Sequence, residues 1–514
     1  MDEIKPRFYN DVVIIGAGLS GINLACQLQR KLGVSDYIIY DRAQELGGAW
    51  AANKYPGCGV DIPGALYSLS WFPNPAFTKI FPSQPEILSY AHSVAQSHNV
   101  PRHIVFQREW TGAIWNEKSS TWLVNLRDLV TGDEYIHEAK MLVSAVGGYT
   151  NPKLPSIPGL DSFQGPVVHT AQWDKDYDLR GLNVAVIGNG CSASQVVPAI
   201  VDNVRSLIQF VRSPQHYVPM PYNFELGWIL RTLFSHIPAV LVFIRWTIFF
   251  FLETGLLQFY NNKKGQQMRE QSAVASSNYI KKTAPEKYWT MLIPGYSLGC
   301  RRRILDCQYL KTLQNPKVHL TRDSIVSVGE KSVITASGAQ HDVDFLILAT
   351  GFQFSQWQGD KIIGRRGVSL QQHWQEMGGI EAYKTIAVNG CPNFFYILGP
   401  NSGSGHTSVL FASECTANLV VKLARPLLLR KAAAVEVAKN AEIRYCDSVQ
   451  IALRKTLFER KPAFPTSSYR RIKGLTFQKQ VTDKTGWNFF NYPFSSLSMW
   501  FGTHFPDMNH WIYR

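Results

Sequence analysis

Two glycine-rich loops carry the residues whose types and spacing could do nucleotide chemistry. In the first, the buried-strand pattern DVVII leads into the run formed by Gly16, Gly18 and Gly21. A helical pattern follows, and the next strand pattern ends in Asp41. Such glycines permit a tight turn and close approach of a pyrophosphate, the helix N-terminus favours the anion, and the carboxylate can bond a ribose diol. The pattern predicts a dinucleotide site.

The second loop repeats this design but is followed by the opposite charge. The strand pattern of residues 182–187 leads into another glycine-rich turn, and the next strand pattern ends in Arg212 instead of an acid. A guanidinium suits a ribose 2′-phosphate, whereas a carboxylate suits an unphosphorylated ribose. We therefore predict that the first loop holds FAD and the second NADPH. The predicted NADPH contacts of the second loop are Gly188, Asn189, Gly190, Cys191, Ser192, Ala193 and Ser194.

Composition narrows the class of protein. A chain of 514 residues is too long for one core. The net charge of +14 is compatible with phosphate-rich cofactors or an anionic membrane face, and no nucleic-acid-binding signature is present, so we expect no nucleic-acid partner. The cysteines form no CxxC pair and no metal-ligand cluster, which predicts free thiols, no metal and no redox dithiol. No apolar run opens the chain, so we expect a cytoplasmic protein.

The order of these patterns predicts an α/β fold with two Rossmann-like dinucleotide-binding domains and a helical insertion. We expect a discontinuous FAD-binding domain formed by residues 1–150 and 340–440. The NADPH-binding domain is expected over 151–340, after a proline-rich connector, with an apolar helical insertion at about 220–290. The aromatic segment 441–514 is expected to pack on the active site.

Residues 226–260 form a strongly apolar stretch. Charged and helix-breaking residues interrupt it, and its longest uncharged run, Thr232 to Ile244, is shorter than the roughly 20 residues that a membrane span needs. We predict a helical pair that covers a substrate pocket or lies on a membrane surface. The oligomeric state is left open.

Two further features are ambiguous from the residues alone. The loop of residues 45–71 combines paired glycines, Trp50 and a Pro-Gly turn, which favours packing around a flat group. Asp61 within it is compatible with an ordinary turn-capping carboxylate. The arginines at 301–303 are compatible with a solvated basic turn.

A longer motif adds a resemblance to a known family. Phe163, Gly165, His169, Trp173 and Asp174 match the FxGxxxHxxxW signature, followed by Pro or Asp, of the Baeyer–Villiger monooxygenases. The chain thus resembles the class B flavoprotein monooxygenases, and within them this subgroup and its fungal members. The likeness extends from about residue 10 to 415 through the GGAW, YPG, GNGCSAS, GCRR, ATG and GPN runs.

The resemblance implies roles for specific residues. Asp61 falls on the active-site aspartate and Arg302 on the essential arginine of that family, with Arg301 as the next choice. Arg301 stands where relatives often carry Lys in contact with NADPH, so its detailed contact is open. These three residues are also expected to contact the cofactors. The remaining expected contacts, to the flavin or to the 2′-phosphate, are Gly48, Trp50, Tyr67, Trp110 and Ser213.

The resemblance also implies a reaction. NADPH reduces FAD, O2 gives a C4a-peroxyflavin, and an oxygen atom is inserted next to a ketone carbonyl to give an ester or lactone. We expect a bulky, lipophilic ketone of the kind found in secondary metabolism. The alternatives are a nitrogen- or sulfur-oxidising flavin monooxygenase, which usually has Tyr at the position of Trp173, and a reductase without oxygenase activity. His169 is interpreted as a hinge residue or as a buried structural histidine.

Overall fold

Two mainly parallel sheets organise the fold. The computed structural model describes residues 8–299, 301–353, 359–458 and 487–514. The strands, in chain order, are β1 (Phe8–Ile15), β2 (Tyr37–Tyr40), β3 (Ile104–Val105), β4 (Arg108–Asn116), β5 (Thr121–Asp128), β6 (Glu134–Ser144), β7 (Val167–His169), β8 (Asn183–Ile187), β9 (Ser206–Phe210), β10 (Tyr217–Pro219), β11 (Ile304–Asp306), β12 (Val318–Thr321), β13 (Ile325–Val328), β14 (Ser332–Thr335), β15 (Gln340–Asp342), β16 (Phe345–Leu348), β17 (Ile362–Ile363), β18 (Phe394–Tyr396), β19 (Val435–Val437) and β20 (Trp511–Tyr513).

Helices pack against both sheets, and the helices between residues 228 and 292 add residues to the core of the second sheet and contact residues packed on the first. The helices are α1 (Leu19–Leu32), α2 (Ala49–Ala52), α3 (Gln84–Gln96), α4 (Cys191–Ile200), α5 (Trp228–His236), α6 (Pro238–Glu253), α7 (Lys263–Thr283), α8 (Trp289–Leu292), α9 (Tyr309–Thr312), α10 (Leu370–Met377), α11 (Val409–Leu428), α12 (Lys439–Arg454) and α13 (Ser496–His504). The predicted helical insertion therefore corresponds to α5 to α8.

The first sheet contains the first glycine loop. Its order is β17-β4-β5-β6-β1-β2-β3, with β18 also paired to β6. β1 lies parallel to β2 and β6, and β4 to β6 form an antiparallel meander. The end of β1 is completely buried between α1 and the meander, because its residues face a core on both sides. We refer to this sheet and its helices as the first unit.

The second sheet contains the second glycine loop. Its five strands are all parallel, in the order β12-β9-β8-β16-β7. Its core packs α4 and α9 against the sheet. We refer to it as the second unit. The two sheets, each with a strand–glycine loop–helix arrangement, confirm the predicted α/β fold with two Rossmann-like units.

One predicted boundary is wrong. Residues from 340 onward were assigned to the FAD-binding domain, but β16 pairs in parallel with both β8 and β7 of the second sheet. The first unit resumes only beyond this strand, at β17. A buried parallel strand has the same apolar pattern in either sheet, so the pattern alone did not determine its partner.

The described part of the C-terminal segment packs on the first unit. β20 pairs antiparallel with β19, and the backbone of Phe490 accepts a 2.8 Å hydrogen bond from Gly403 in the loop before α11. The predicted segment 441–514 includes residues 459–486, which lie outside the described residues. The cysteines described by the structure are free thiols, as expected, and Cys300 is outside the described ranges.

Candidate functional site

The first glycine loop leaves no room for side chains. A Cβ at Gly21 would lie 1.9 Å from the carbonyl oxygen of Gly16, so only glycine allows α1 to approach the end of β1 this closely. Gly18 is the N-cap of α1 and supplies no side-chain cap to its first amide groups. An uncapped N-terminus lined by glycine fits a pyrophosphate group.

Asp41 and Gly48 complete this loop. The Asp41 carboxylate accepts hydrogen bonds from the backbone amides of Ala17 and Ala43, at 2.7 and 2.8 Å, which places it beside the glycine turn. Gly48 lies directly against Gly18, since a Cβ on it would be 2.9 Å from the Gly18 Cα. The donor and acceptor set therefore suits an adenosine diphosphate moiety at the end of β1.

The second glycine loop has the same backbone design in a more open setting. Gly188 has a φ of +120°, and a Cβ there would lie 2.4 Å from the Ala349 carbonyl oxygen. Gly190 is the N-cap of α4 without a side-chain cap, and a Cβ on it would meet no atom within 4 Å. The space in front of this helix start is thus available to a ligand of the size and charge of a phosphate.

The charged end of β9 lies next to this loop. The Asn189 side-chain amide donates a 2.7 Å hydrogen bond to the carbonyl of Ser213, which fixes the turn carrying the exposed Arg212. Ala193 and Ser194, both buried, face the core, and the Ser194 hydroxyl donates to the Cys191 carbonyl at 2.8 Å. Of these helix residues only Cys191 and Ser192 present side chains outward, so a cofactor contact by the other two would use their backbone.

The two units meet in an ion pair between Asp61 and Arg302. The Nε and Nη2 atoms of Arg302 both donate to Oδ2 of Asp61, at 3.1 and 2.5 Å. Asp61 belongs to the loop after α2, and Arg302 lies two residues before β11, whose parallel pairing with β10 positions it. The side chain of Arg302 is 48% exposed and that of Asp61 31%, so both are partly accessible; we refer to the junction of the two units at this ion pair as the cleft. The two residues that the resemblance singled out are thus brought together.

The neighbouring arginines have different surroundings. The guanidinium of Arg301 lies over the ring of Tyr296, 5.2 Å from its centroid. Burial lowers the pKa of Arg303, and the charge of Arg302 lowers it further. The contact with Asp61 therefore favours Arg302, the first choice from the sequence, over Arg301 as the arginine of the pair. Sequence reasoning did not identify Tyr296, because an aromatic residue in a loop gives no specific signal.

Two aromatic residues flank the ion pair. The indole N–H of Trp50 donates a 3.0 Å hydrogen bond to the Tyr67 hydroxyl, and the two rings meet edge to face. Burial raises the pKa of Tyr67, and the charges of Asp61 and Arg302 act on it in opposite directions. Trp50 and Tyr67 thus form one aromatic pair whose phenol is influenced by both charges, and flat side chains of this kind can contact an aromatic ring system.

Trp110 is not part of this cleft through its side chain. It lies on β4 with 4% of its surface exposed, and its indole N–H donates to the Gly112 carbonyl at 2.9 Å. The side chain is occupied by the core of the meander. The predicted cofactor contact of Trp110 stays a prediction, and because the indole is occupied, such a contact would use the backbone.

Contacts between the units also involve residues that sequence reasoning missed. Gln195 on α4 accepts a 2.7 Å hydrogen bond from the Tyr55 hydroxyl and donates one of 3.1 Å to the Gly59 carbonyl. These bonds attach the Asp61 loop to the start of the second unit. The Pro56-Gly57 turn was visible as a turn, but the sequence held no signal for its partner on α4.

The connectors between the units pair with each other. Pro152 and Phe352 form an isolated antiparallel bridge, with backbone bonds from Lys153 to Gly351 and from Gln353 to Asn151, at 2.8 and 2.9 Å. His169 packs edge-on against Phe352, and its Nδ1 accepts from the Ala171 amide at 3.0 Å.

Burial lowers the pKa of His169, and an interaction with the Gly351 backbone opposes this shift. The neutral imidazole therefore packs where both connectors run together. Within the described ranges, no group of three or more His, Cys, Asp or Glu residues could hold a metal ion.

Comparison with known families supports this arrangement. Residues 14–81 match the family described as the NAD(P)-binding Rossmann-like domain, which contains the first glycine loop. Residues 75–224 match the L-lysine 6-monooxygenase/L-ornithine 5-monooxygenase family. Neither match covers half of the chain.

Individual related proteins align with a much larger share of this chain. A Baeyer–Villiger monooxygenase of Streptomyces coelicolor is 31% identical over 450 residues, which is 87% of this chain and 84% of the relative. One of Pseudomonas aeruginosa is 32% identical over 448 residues, 87% and 83% of the two chains. The chain belongs to the Baeyer–Villiger monooxygenase family. The family also has fungal relatives, and the FAD-binding monooxygenase ktnD of Aspergillus niger is 32% identical over 87% of this chain and 74% of its own.

Solved structures show the same fold. A steroid monooxygenase bound to NADP superposes with a TM-score of 0.82 at 24% identity, covering 98% of this chain and 99% of the other. The cyclohexanone monooxygenase from Rhodococcus sp. Phi1 bound to NADP+ gives 0.81 at 23% identity, covering 99% and 100%. The predicted family, the monooxygenase class and the two cofactors, FAD and NADPH, are confirmed for this Baeyer–Villiger monooxygenase.

Proposed function

We propose that this chain converts a bulky lipophilic ketone into an ester or lactone. In the balanced reaction the ketone, O2, NADPH and a proton give the ester, NADP+ and water. Bound FAD supplies the oxygen-activating chemistry, and NADPH supplies the hydride. The observation that carries the proposal is the pair of Arg302 and Asp61 at the junction of the two units.

Arg302 and Asp61 would have different roles in the reaction because their charges are opposite. Arg302 keeps a positive charge at every working pH and can stabilise negative charge that develops on the substrate oxygen. Asp61 orients the guanidinium by accepting from both Nε and Nη2. Because the pair is partly exposed, the attraction between its charges contributes at most about 1 kcal/mol to stability, so orientation is its main effect.

The cofactors would be held by different units. We infer that the first unit binds FAD through the uncapped N-terminus of α1 and Asp41, with Trp50 and Tyr67 against the ring system. The second unit binds NADPH through the start of α4 and Arg212. The two paired connectors with His169 form the hinge on which these units change their relative position. The described C-terminal residues, which bond to the loop before α11, cover the FAD side of the cleft.

Replacing Arg302 tests the proposal. In Arg302→Ala we expect NADPH to reduce the flavin at close to the normal rate, while ester formation falls by about 100-fold or more, since one preorganised donor is worth about 3–4 kcal/mol. The measurement is NADPH consumption beside product analysis with a panel of cyclic ketones. Arg302→Lys serves as the matched control, because it keeps the charge but not the fork to Asp61. Normal ester formation by the alanine variant would contradict the role of Arg302.

The match of residues 75–224 to the lysine and ornithine monooxygenase family favours one alternative, oxidation of nitrogen. Offering the enzyme a ketone, a sulfide and L-ornithine separates the two reactions. Ester formation supports the proposal, and an N-hydroxylated product without any ester supports the alternative. NADPH oxidation with no oxygenated product from any of the three would indicate a reductase.

A further inference from the structure

The outer face of α5 and α6 exposes an unusual amount of apolar surface. Phe251, Phe243 and Trp228 are 74, 72 and 71% exposed. Phe243, Phe250 and Phe251 are spaced by seven and eight positions, so they project from one side of α6. The large exposed apolar side chains of α5, α6 and their junction, which we call the outer face, are Trp228, Ile229, Leu230, Leu233, Ile237, Val242, Phe243, Phe250 and Phe251.

The opposite side of α6 is fixed to the protein. Leu241, Arg245 and Phe249, spaced by four positions, are all buried. The guanidinium of Arg245 donates to the Glu414 carboxylate at 3.0 Å and to the Ser68 carbonyl at 2.6 Å, and burial raises the pKa of Glu414 while Arg245 opposes the rise. Removing one partner of such a buried pair is strongly unfavourable. The helix is therefore held with one side inward and the other outward.

This attachment decides between crossing a membrane and lying on it. The run Pro238–Phe259 is long and apolar enough to cross a membrane by length and composition, with a mean hydropathy of 1.8. Crossing would separate Arg245 from Glu414 and expose both charges to lipid. An orientation parallel to the membrane surface keeps the pair intact and uses only the outer face.

The charges around the outer face indicate which kind of partner it would bind. Between residues 226 and 262, Glu253 is the only acidic residue in the sequence, and its carboxylate turns inward to His406 Nε2 at 2.8 Å. Arg231 lies on α5, and Lys263 and Lys264 are exposed at the start of α7. The whole chain carries a formal net charge of +14. An anionic surface complements this arrangement, whereas a second copy of the chain would add like charge.

We propose that the outer face of α5 and α6 docks on an anionic lipid bilayer. The two helices lie in the membrane plane, with Trp228 and the phenylalanines among the headgroups and the basic residues next to lipid phosphates. The anchored side of α6 stays in the protein. This contact is independent of the reaction proposed above, since none of these residues belongs to the cleft.

Vesicle flotation of the FAD-bound protein tests the proposal. The vesicles are phosphatidylcholine alone and phosphatidylcholine mixed with phosphatidylglycerol. We expect the wild-type chain to float with the mixed vesicles and to be released by high salt, and Phe243→Glu/Phe251→Glu to float at least tenfold less. Val130→Glu, an exposed apolar residue in the turn after β5, is the matched control and should behave like wild type. Flavin absorbance and NADPH oxidation report whether each variant is folded.

Three results would overturn the proposal. The first is undiminished flotation of the folded double variant. The second is equal flotation on phosphatidylcholine alone, which would remove the requirement for anionic lipid. The third is a wild-type chain that does not float but is a dimer in solution and becomes monomeric in the double variant, which would make the outer face an interface between copies.

Discussion

The two glycine loops share a backbone design, but the protein surrounds them differently. At the first loop, Asp41 is bonded to loop amides on two sides and Gly48 closes against Gly18. At the second, Gly190 faces open space and Arg212 is exposed. An enclosed loop suits a cofactor that stays bound through many turnovers. An open loop suits one that enters and leaves in each cycle, so the difference matches FAD and NADPH.

Replacing one glycine by alanine in each loop should give the largest difference between the two loops. In Gly21→Ala the new Cβ would lie 1.9 Å from the Gly16 carbonyl oxygen, so the loop must move. We expect a cost of about 3 kcal/mol and a loss of FAD affinity of about 100-fold. The measurement is flavin content after purification and FAD titration of the apoprotein.

Gly190→Ala is the matched change in the open loop. Its Cβ would contact no protein atom within 4 Å, so the fold and the FAD content should be retained while the KM for NADPH rises. If Gly21→Ala bound FAD normally, or if Gly190→Ala lost its flavin, the two loops would not differ in the way described.

Removing the charge at the end of β9 should give a smaller effect, limited to one cofactor. In Arg212→Ala we expect kcat/KM for NADPH to fall by about 10- to 100-fold, since a charge-assisted hydrogen bond contributes about 1.5–3 kcal/mol. The value for NADH should hardly change. Arg205→Ala removes the same charge at the other end of β9 and should leave both values unchanged. An equal loss with both nucleotides would contradict the assignment of Arg212 to the 2′-phosphate.

The sequence allowed the two loops to be predicted because their constraints are local. The glycine spacing, the following helix and the charge that ends the next strand all lie within about 30 residues of each other. The pair of Asp61 and Arg302 is different. These residues are 241 positions apart, and nothing in their own surroundings distinguished them from a turn cap and a basic turn. Only the resemblance to a family indicated that they belong together.

The errors arose where partners are distant. β16 was assigned to the wrong sheet because an apolar strand does not encode its neighbour. Arg245 and Glu253 were interpreted as interruptions of an apolar stretch, yet both turn inward and fix α6 to the protein. The spacing of four between Leu241, Arg245 and Phe249 was a usable signal, because it places a charge on the buried side of the helix.

Each unit contains a buried carboxylate, and the surroundings of the two carboxylates predict how the stability of the protein depends on pH. Burial raises the pKa of Asp306 in the second unit, but hydrogen bonds from the Tyr279 hydroxyl at 2.8 Å and from the Leu310 amide oppose the rise. Glu381 in the first unit is 1% exposed, and within the described residues neither of its oxygens has a nitrogen or oxygen donor. Burial and then the charge of Glu442 raise the pKa of Glu381 from 4.5 to about 8. The carboxyl group of Glu381 therefore binds its proton more tightly in the folded protein than in the unfolded chain.

The stability due to Glu381 should decline as the pH rises. It is fully present below about pH 4.5 and is lost as the pH passes through about 8. At about 1.4 kcal/mol per pKa unit, the free energy of unfolding should fall by about 2 kcal/mol between pH 6 and 7.5. Glu381→Gln should flatten this dependence in urea unfolding, while Glu376→Gln, an exposed carboxylate on α10, should not. An unchanged slope in Glu381→Gln would show that Glu381 does not carry this pH dependence.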